Sequence, residues 1–594
     1  MVIGKQINRY YLRFAHLLLL GLAALVMVDY LTLIVPNLYQ KVINGINLGY
    51  VEQDGVQTPF DMAFLLDQVC VPMLIVILGM VFGRFLWRVS LFTAAIRVET
   101  DLRNRMFDRA KNLSREYYQV NKVGNLMSLF TNDLDTIQEC FGWGFLMFFD
   151  ALLLGIMSIV KMWRMDPLLT LFAMVPMGLL MACATIVGRR LERKWDIRQE
   201  AFSKLSDFSQ ESFSGISVIK AFVKEAKELL AFKKLNKENE DANLDFTRTS
   251  VLFRILVTLF VESVICVILG YGGYLVHKGS FNAGELMEFI GYFNSVIWPI
   301  MAVSELIDMS SRGKASLKRV SELLEAEITV KDRSDVEPLE SIRGDIEFRN
   351  LTFRYPDGDF DALENISFTI NAGENVGLVG KTGAGKTTLV DLILRTYNVP
   401  DGTIFVDGRD VNAIPIHDLR AGCAYVPQDN FLFSDTIANN ISFGVADHED
   451  TEAIQLAAQL ADVHNNIQEF GMGYSTILGE RGVTVSGGQK QRISIARALM
   501  KQAPILILDD SVSAVDTKTE KNILENLRKT RAGKTTILIA HRISTIEKMD
   551  KILFLDDSRL VAVGTHTELY NTCPAYQKMV DLQRLEEEGG THNA

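Results

Sequence analysis

The sequence predicts two domains of different fold class: an α-helical domain with six membrane-spanning helices, and an α/β domain built around a phosphate-binding loop. Residues 1–325 contain long apolar runs, whereas residues 345–583 alternate short apolar strands with polar helices, and a glycine-rich loop directly follows one of these strands. A chain of 594 residues is also too long for a single core. We predict a charged linker at 326–344 and a polar tail at 584–594.

Six apolar segments of the first domain are long enough to cross about 30 Å of hydrocarbon as helices of about 20 residues. Basic residues precede the first segment and follow the second, fourth and sixth, so both termini and two long loops are predicted to face the cytoplasm. Lys161 and Arg164, in a short loop assigned to the outside, depart from this bias. The first apolar run lacks a small-residue cleavage site and is expected to stay in the membrane. The predicted spans are 17–38, 69–87, 142–160, 167–187, 251–276 and 285–307.

The charge and cysteine content exclude several kinds of partner. The net charge is −11 and the basic residues form no stripe, which argues against a nucleic-acid partner. The six cysteines lie far apart without a C-x-x-C pair, which favours buried thiols in a reducing compartment over a disulfide framework or a metal site. The lipid bilayer expected around the first domain follows from its six apolar segments.

Three acidic residues, Asp29, Asp150 and Glu262, lie near the middle of predicted spans. A charged group inside a membrane is costly, so its position carries information. Two interpretations stay open for these residues. Either one or more of them line a cavity that favours cationic substrates, or they pair with Arg84 or Arg254 or lie at an interface.

A phosphate loop follows the predicted strand at 375–379. The loop matches the pattern G-x-x-x-x-G-K-T at the start of a helix. Its glycines allow backbone N–H groups to surround a phosphate, and the helix N-terminus adds a partial positive charge. Lys386 supplies a further charge to the phosphates of a nucleotide, and the Thr387 hydroxyl is a ligand for Mg²⁺. The predicted nucleotide-binding residues here are Gly380, Lys381, Thr382, Gly383, Ala384, Gly385, Lys386, Thr387 and Thr388.

Two later segments complete the predicted nucleotide site. The apolar strand at 505–508 ends in Asp509, whose carboxylate can hold Mg²⁺ directly or through water. Before it, the S-G-G-Q-x-Q-R run resembles the signature motif of ABC ATPases, which other phosphate-loop enzymes lack. The chain is therefore identified as similar to ABC proteins, and the α/β domain as a P-loop nucleotide-binding domain of ABC type. The signature residues are Val485, Ser486, Gly487, Gly488 and Gln489.

Other residues are similar to the remaining motifs of that family. Tyr355 resembles the aromatic residue that stacks on adenine, and His541 the switch histidine that contacts the γ-phosphate. Gln428 resembles the glutamine that senses Mg²⁺ and faces the membrane domain, so the resemblance implies Thr387, Gln428 and Asp509 as metal ligands. The segment at 479–482 is similar to one that precedes the signature in exporters. The residues that resemble the D-loop are Ser513, Ala514, Val515 and Asp516.

The membrane half resembles ABC exporters as well. Residues 117–133 look like the first intracellular loop of such exporters, and residues 211–222 look like the second. In that family, short coupling helices in these loops dock onto the ATPase domains. The resemblance places them here near 131–136 and 213–218.

The chain departs from the family pattern at Asp510. The family's general base is a glutamate directly after the Asp509 position. An aspartate is one methylene shorter, so its carboxylate lies roughly 1.5 Å further from the attacking water. A misplacement of about 1 Å can lower a rate on the order of a hundredfold. With Asp510, His541 and Gln428 as the catalytic set, the site is expected to bind ATP and hydrolyse it slowly.

In ABC dimers each ATP lies between the phosphate loop of one domain and the signature of the other. This chain would then contribute a weak phosphate-loop side and an intact signature, which resembles one subunit of bacterial heterodimeric multidrug exporters. The partner would be a second half-transporter that carries the missing glutamate and uses the signature at 485–489. A homodimer with two slow sites stays an alternative, because His541 is intact.

The resemblance implies ATP-driven export of amphiphilic small molecules. ATP binding would close the two nucleotide domains, and the coupling helices would carry that motion to the membrane helices. An importer with the same fold differs only in transport direction and stays open. A gated channel is disfavoured because no long regulatory insertion separates the two domains. Half-transporter size and the absence of targeting segments point to a bacterial inner or plasma membrane.

Overall fold

The computed structural model describes residues 4–53, 56–339, 341–446, 450–479, 482 and 485–591. The chain divides into two units. The first comprises Met1–Ala110 and Gly124–Glu325, and the second comprises Lys111–Val123 and Ala326–Ala594. The second unit is therefore assembled from two separate stretches of the chain.

Long helices dominate the first half of the chain. One short hairpin, β1 (Tyr50–Gln53) with β2 (Val56–Pro59), follows the first membrane helices. Two π-helical turns, Leu66–Cys70 and Leu129–Asp133, lead directly into long helices. The helices in chain order are α1 (Asn8–Arg13), α2 (Ala15–Thr32), α3 (Val35–Leu48), α4 (Met62–Leu65), α5 (Val71–Asn112), α6 (Arg115–Val120), α7 (Val123–Ser128), α8 (Leu134–Met165), α9 (Pro167–Ser214), α10 (Ile216–Ala221), α11 (Glu225–His277) and α12 (Ala283–Glu325).

Five helical stretches in the described part of the chain are long and apolar enough to cross a membrane. Five of the six predicted spans fall on them. The fourth predicted span falls on α9, whose apolar described part, Pro167–Leu179, is shorter. The helical membrane domain predicted from the sequence is therefore confirmed. The five stretches are Ala15–Leu48, Met62–Asn112, Val123–Met165, Glu225–His277 and Ala283–Glu325.

Local sequence explains where these helices begin and end. Asp166 caps α9, because its carboxylate accepts a hydrogen bond from the Leu169 N–H at 2.6 Å and Pro167 occupies the first helical position. The first predicted span is divided between α2 and α3, with Pro36 in the first turn of α3. Within the first unit, α8 packs along α12 and α9 along α11.

The first coupling helix is not where the resemblance placed it. Residues 131–136 continue from a π-helical turn into α8 without a break. The separate short helix is α6, which lies between Ser114 and Asn121, two residues with extended backbone. The second short helix, α10, begins at Ile216 and overlaps the predicted segment 213–218. The position of the first helix was wrong because the breaks that delimit α6 lie about 15 residues earlier.

The second unit contains two sheets. The six-stranded sheet has the order β12-β11-β5-β10-β9-β8 and is parallel except for β12, and the four-stranded antiparallel sheet has the order β4-β3-β6-β7. The strands are β3 (Ile346–Phe353), β4 (Leu363–Ile370), β5 (Asn375–Gly380), β6 (Ile404–Val406), β7 (Arg409–Asp410), β8 (Cys423–Val426), β9 (Ile505–Asp509), β10 (Thr535–Ile539), β11 (Lys551–Asp556) and β12 (Arg559–Gly564).

Helices cover the sheets of the second unit. They are α13 (Lys386–Ile393), α14 (Ile416–Ala421), α15 (Ile437–Ser442), α16 (Thr451–Leu460), α17 (His464–Gln468), α18 (Gly487–Met500), α19 (Thr517–Thr530), α20 (Ile543–Ile546), α21 (His566–Thr572) and α22 (Pro574–Thr591). The last helix extends into the predicted tail.

Apart from the edge strand β12, the strands of the six-stranded sheet are buried on both faces. Along β9, Ile505 and Ile507 belong to one hydrophobic core, and Leu506 and Leu508 belong to another. This two-residue alternation is expected for a strand with helices on one side and a second layer on the other. The acidic end of β9, Asp509, is therefore presented at the edge of a rigid sheet.

Candidate active site

Four parallel strands bring the predicted catalytic segments to one edge of the sheet. Strands β5, β10, β9 and β8 are neighbours in that order. The phosphate loop at 380–388 follows β5, His541 follows β10, Asp509 ends β9, and Gln428 follows β8. Because the carboxyl ends of parallel strands meet at the same edge, these four segments converge there.

The phosphate loop closes onto the start of α13. Gly383 and Gly385 adopt positive φ angles of 86° and 92°. A side chain at Gly385 would place a Cβ 2.7 Å from the carbonyl oxygen of Ala362, so the position accepts only glycine. The loop is therefore held tightly against the neighbouring backbone, with the N–H groups of the first turn of α13 free to bind an anion.

The Lys386 ammonium lies within this loop. It donates hydrogen bonds to the carbonyl oxygens of Gly380 and Lys381, both at 2.9 Å. Burial lowers the pKa of Lys386, and the charges of Asp509 and Asp510 oppose that shift. The lysine is thus positioned by backbone contacts beside two carboxylates.

Asp509 has the geometry of a cation ligand. It is 1 % exposed, and its Oδ2 has no hydrogen-bond partner among the described residues. Burial raises the pKa of Asp509, while a hydrogen bond with the Thr387 side chain lowers it. A buried carboxylate oxygen without a partner beside a hydroxyl fits Mg²⁺, which prefers oxygen ligands. Gln428 is exposed just after β8, and its backbone carbonyl oxygen accepts a hydrogen bond from the Asn430 side chain at 3.4 Å.

Asp510 is fixed by its own backbone. It has a positive φ angle of 47°, which aspartate tolerates better than most residues. Its N–H donates to the Ile539 carbonyl oxygen at 3.1 Å, and its carbonyl oxygen accepts from the Ser513 hydroxyl at 2.9 Å. The Asp510 Oδ2 atom lies 3.9 Å from Nε2 of His541. The carboxylate and the imidazole therefore face each other just beyond hydrogen-bond distance.

The signature residues begin helix α18. Ser486 caps the helix in a capping box with Gln489, and Val485 packs against the core beside it. Ser486 and Gly487 are exposed. In the preceding segment at 479–482, residues 480 and 481 lie outside the described residues. The signature is thus a rigid, exposed helix N-terminus.

The D-loop is attached to the signature helix. The Ala514 N–H donates to the Gln491 Oε1 atom at 3.0 Å, and a Cβ at Gly488 would lie 3.0 Å from the Ala514 carbonyl oxygen. Asp516 caps α19 and accepts hydrogen bonds from two backbone N–H groups, which hold the pKa of Asp516 below its usual value. Ser513 contacts Asp510, as described above. The D-loop therefore links the signature helix to the Asp510 backbone.

Tyr355 lies beside the phosphate-loop helix. Its hydroxyl forms a hydrogen bond with the Thr388 hydroxyl at 2.8 Å, and burial raises the pKa of Tyr355. The ring makes edge contacts with Phe353 and Tyr397, with centroids 5.2 Å apart in both cases. The predicted adenine-stacking residue is therefore close to the phosphate loop and supported by two aromatic rings.

One contact near the site was missed in the sequence. Arg115, on α6, donates to both carboxylate oxygens of Asp391 on α13, at 2.9 and 2.8 Å. Asp391 is 3 % exposed, and burial raises the pKa of Asp391 although Arg115 opposes that shift. Asp391 lies one turn after Thr387, so a buried acid on the phosphate-loop helix was the available signal. The pair joins the loop helix α6 to the phosphate-loop helix within the second unit.

In the first unit, two of the predicted intramembrane acids meet each other. Asp29, on α2, is 3 % exposed and faces Asp150 on α8. Asp150 accepts a hydrogen bond from Nε1 of Trp298 at 2.7 Å. Glu262 lies on an exposed face of α11. Among the described residues, Asp29 and Asp150 thus contact each other and a tryptophan instead of Arg84 or Arg254.

The first unit also has a long groove between α8 and α12. Its volume is about 850 Å³, and its walls are almost entirely apolar. Ser310, Ser311 and Lys314 add polar groups at one end. Several of the apolar side chains are well exposed, including Phe148, Leu152, Ile156, Val303 and Ile307.

Comparisons with known proteins agree with this architecture. Residues 18–300 match the family profile described as "ABC transporter transmembrane region", and residues 363–513 match the one described as "ABC transporter". The probable multidrug resistance ABC transporter ATP-binding/permease protein YheI of Bacillus subtilis is 36% identical over 99% of this chain and 98% of its own length. The multidrug resistance-like ATP-binding protein MdlA of Escherichia coli is 34% identical over 99% and 97%.

A relative named as a lipid flippase and a solved structure extend the comparison. The ATP-dependent lipid A-core flippase of Syntrophus aciditrophicus is 34% identical over 88% of this chain and 86% of its own length. The structure of a bacterial Atm1-family ABC exporter with ATP bound superposes with a TM-score of 0.75 at 26% identity, covering 97% of this chain and 98% of that one.

Proposed function

This chain belongs to the ABC transporter family, as an exporter half with a transmembrane domain fused to an ATPase domain. From that premise we propose that it exports amphiphilic small molecules as one subunit of a heterodimer, the subunit whose own ATP site hydrolyses slowly. The family makes the chain an ATP-driven membrane transporter. The observation that carries the finer proposal is Asp510, the aspartate that stands where the family has a catalytic glutamate.

The backbone around Asp510 offers no way to compensate for the shorter side chain. Hydrogen bonds at its N–H and its carbonyl oxygen tie the residue to Ile539 and Ser513. Because both ends of the peptide are held, the carboxylate stays roughly one C–C bond, about 1.5 Å, short of the reach of a glutamate. A general base that far out of place lowers hydrolysis about a hundredfold while leaving ATP binding intact.

We assign the other residues by the same geometry. Lys386 and the backbone N–H groups of the phosphate loop bind the phosphates, and Tyr355 supports the adenine. Thr387 and Asp509 would hold Mg²⁺, which would neutralise charge that develops on the phosphates. His541 orients the γ-phosphate beside Asp510. Gln428 is exposed, so its contact with the cation requires closure of the site.

The exposed signature supports a partner of complementary type. Ser486 and Gly487 are presented at the N-terminus of α18, where backbone N–H groups favour an anion. A second half-transporter that carries a glutamate at the position equivalent to Asp510 would hydrolyse ATP rapidly against this surface. The slow site of this chain would then keep ATP bound longer than the site of the partner.

The groove between α8 and α12 supports an amphiphilic substrate. It combines a long apolar wall with the charge of Lys314 at one end, as a molecule with an apolar body and a polar head requires. The names of two relatives point the same way, one to multidrug resistance and one to lipid A-core. We propose that the chain lies in a bacterial inner membrane, with the ATPase domain and both termini on the cytoplasmic side.

A transport assay tests the proposal. Inside-out vesicles would contain this chain alone, a half-transporter with the glutamate alone, or both together, and ATP-dependent uptake of a fluorescent amphiphile would be followed. We expect rapid uptake only with both chains, and a purified complex with one copy of each. Rapid uptake by this chain alone would instead establish a homodimer, and ATP-driven movement in the opposite direction would identify an importer.

A further inference from the structure

The C-terminal helix reaches the segment that carries His541. Gln583, on α22, donates through Nε2 to the His541 carbonyl oxygen at 2.7 Å. Its Oε1 atom accepts a hydrogen bond from the Ile543 N–H at 2.9 Å. One amide group therefore contacts the backbone on both sides of Arg542.

These two bonds satisfy groups that would otherwise lack partners. Ile543 is the first residue of α20, and the first N–H groups of a helix have no partner inside it. The residue before it, Arg542, makes no side-chain cap. Gln583 supplies the missing acceptor from another helix and fixes the peptide that follows His541. The direction of the His541 side chain depends on that peptide.

The helix that carries Gln583 is itself firmly anchored. Tyr576 and Val580 are at most 1 % exposed and belong to the main core of the second unit. The Tyr576 hydroxyl contacts Nδ1 of His566 at 2.9 Å, and Asp581 accepts from the Tyr570 hydroxyl at 2.8 Å. Helix α22 can therefore hold the His541 segment in place, because it does not move freely itself.

A second helix, α19, also contacts the His541 segment, and it precedes that segment in the chain whereas α22 follows it. Glu520, on α19, is buried, accepts a hydrogen bond from the Thr545 hydroxyl and forms an ion pair with Arg542 at 3.5 Å. Glu520 contacts the side chains of Arg542 and Thr545, whereas Gln583 contacts the backbone of His541 directly. The contact that Gln583 makes with the His541 carbonyl oxygen is therefore the nearer of the two to the imidazole, which lies 3.9 Å from Asp510.

We propose that Gln583 is a positioning residue for the switch histidine, so that the C-terminal helix sets the rate of ATP hydrolysis. The inference rests on the role proposed above for His541. Loss of both hydrogen bonds would let the imidazole shift by a fraction of an ångström or more. We expect kcat to fall on the order of tenfold, with little change in ATP affinity.

The test uses the full chain in lipid nanodiscs, in an Asp510→Glu background so that hydrolysis is readily measured. Gln583→Met keeps the length of the side chain and removes both hydrogen bonds, and Gln583→Ala is a second variant. The matched control is Gln577→Met, an exposed glutamine on the same helix. We expect a lower kcat only in the Gln583 variants, with KM for ATP and thermal stability within about twofold and a few degrees of the parent.

A combination with His541→Ala separates positioning from general support of the fold. If Gln583 acts through His541, the double variant hydrolyses ATP no more slowly than His541→Ala alone. If the Gln583 and Gln577 variants have equal kcat, or if the losses of kcat multiply in the double variant, the inference about Gln583 is wrong while the proposed role of His541 stands. Unchanged kcat in His541→Ala overturns the proposed role of His541 and the inference with it.

Discussion

Replacing Asp510 with glutamate is expected to accelerate ATP hydrolysis by this chain about thirtyfold to a hundredfold. The added methylene advances the carboxylate by about 1.5 Å. That distance covers the gap between the present 3.9 Å separation from His541 and a hydrogen bond of about 2.8 Å. Because the Asp510 backbone is held by Ile539 and Ser513, the side chain alone accounts for the change.

The expected change in rate requires only a small change in the activation free energy. A hundredfold change in rate corresponds to about 2.7 kcal/mol in the activation free energy. The hydrogen bonds that hold the phosphate loop and Lys386 do not involve the carboxylate of residue 510. We therefore expect the dissociation constant for ATP to stay within about twofold of the wild-type value.

Phosphate release by the purified full chain in nanodiscs measures kcat, and a fluorescent ATP analogue measures binding separately. Asp510→Asn is the control, since it keeps the size of the side chain and removes its basicity. Asp510→Glu with unchanged kcat and intact ATP binding would refute the reasoning. So would a wild-type chain that already hydrolyses ATP as fast as the glutamate variant.

Two further predictions concern the stability of the ATPase unit, and thermal unfolding of the full chain checks both. Arg115→Met leaves the Asp391 carboxylate buried without its partner and should cost about 1 to 3 kcal/mol near pH 7.5. Because burial raises the pKa of Asp391 in the folded state, its ionised form opposes folding, and this loss of stability should shrink as the pH falls toward about 5. The loss should also vanish in the double variant Arg115→Met/Asp391→Asn. A loss that stays constant at every pH would contradict the assignment. Gly488→Ala should cost about 1 to 2 kcal/mol because its Cβ meets the Ala514 carbonyl oxygen, whereas Gly487→Ala has open space and should be neutral or slightly stabilising, so equal effects would argue against the D-loop contact.

Contiguous motifs could be located from the sequence, because their chemistry is local. The phosphate loop, Asp509 and the signature each depend on a backbone conformation that a short run of residues determines. The continuous apolar run at 505–508 indicated a buried strand, and the structure confirms it by packing alternate residues of β9 into two different cores. The membrane domain could be predicted equally well, because its helices are recognised by their length and apolarity.

Contacts between distant segments could not be predicted in the same way. Asp29 and Asp150 were considered as partners of arginines, because a sequence shows charges but not which helix faces meet. Gln583 carries no motif at all, and its importance appears only when α22 packs beside the His541 segment. The first coupling helix was placed too late along the chain because Ser114 and Asn121 are weak breakers in sequence but adopt extended conformations in the fold.

The discontinuous second unit has a consequence for the order of events during synthesis. Arg115 and Asp391 are 276 positions apart, so at about 5 to 20 residues per second the ribosome adds Asp391 roughly 14 to 55 s after Arg115. Throughout that interval the segment Lys111–Val123 has no folded unit to join. We expect a nascent chain stalled before position 391 to be cut by protease within this segment, and one extended to position 591 to be protected there.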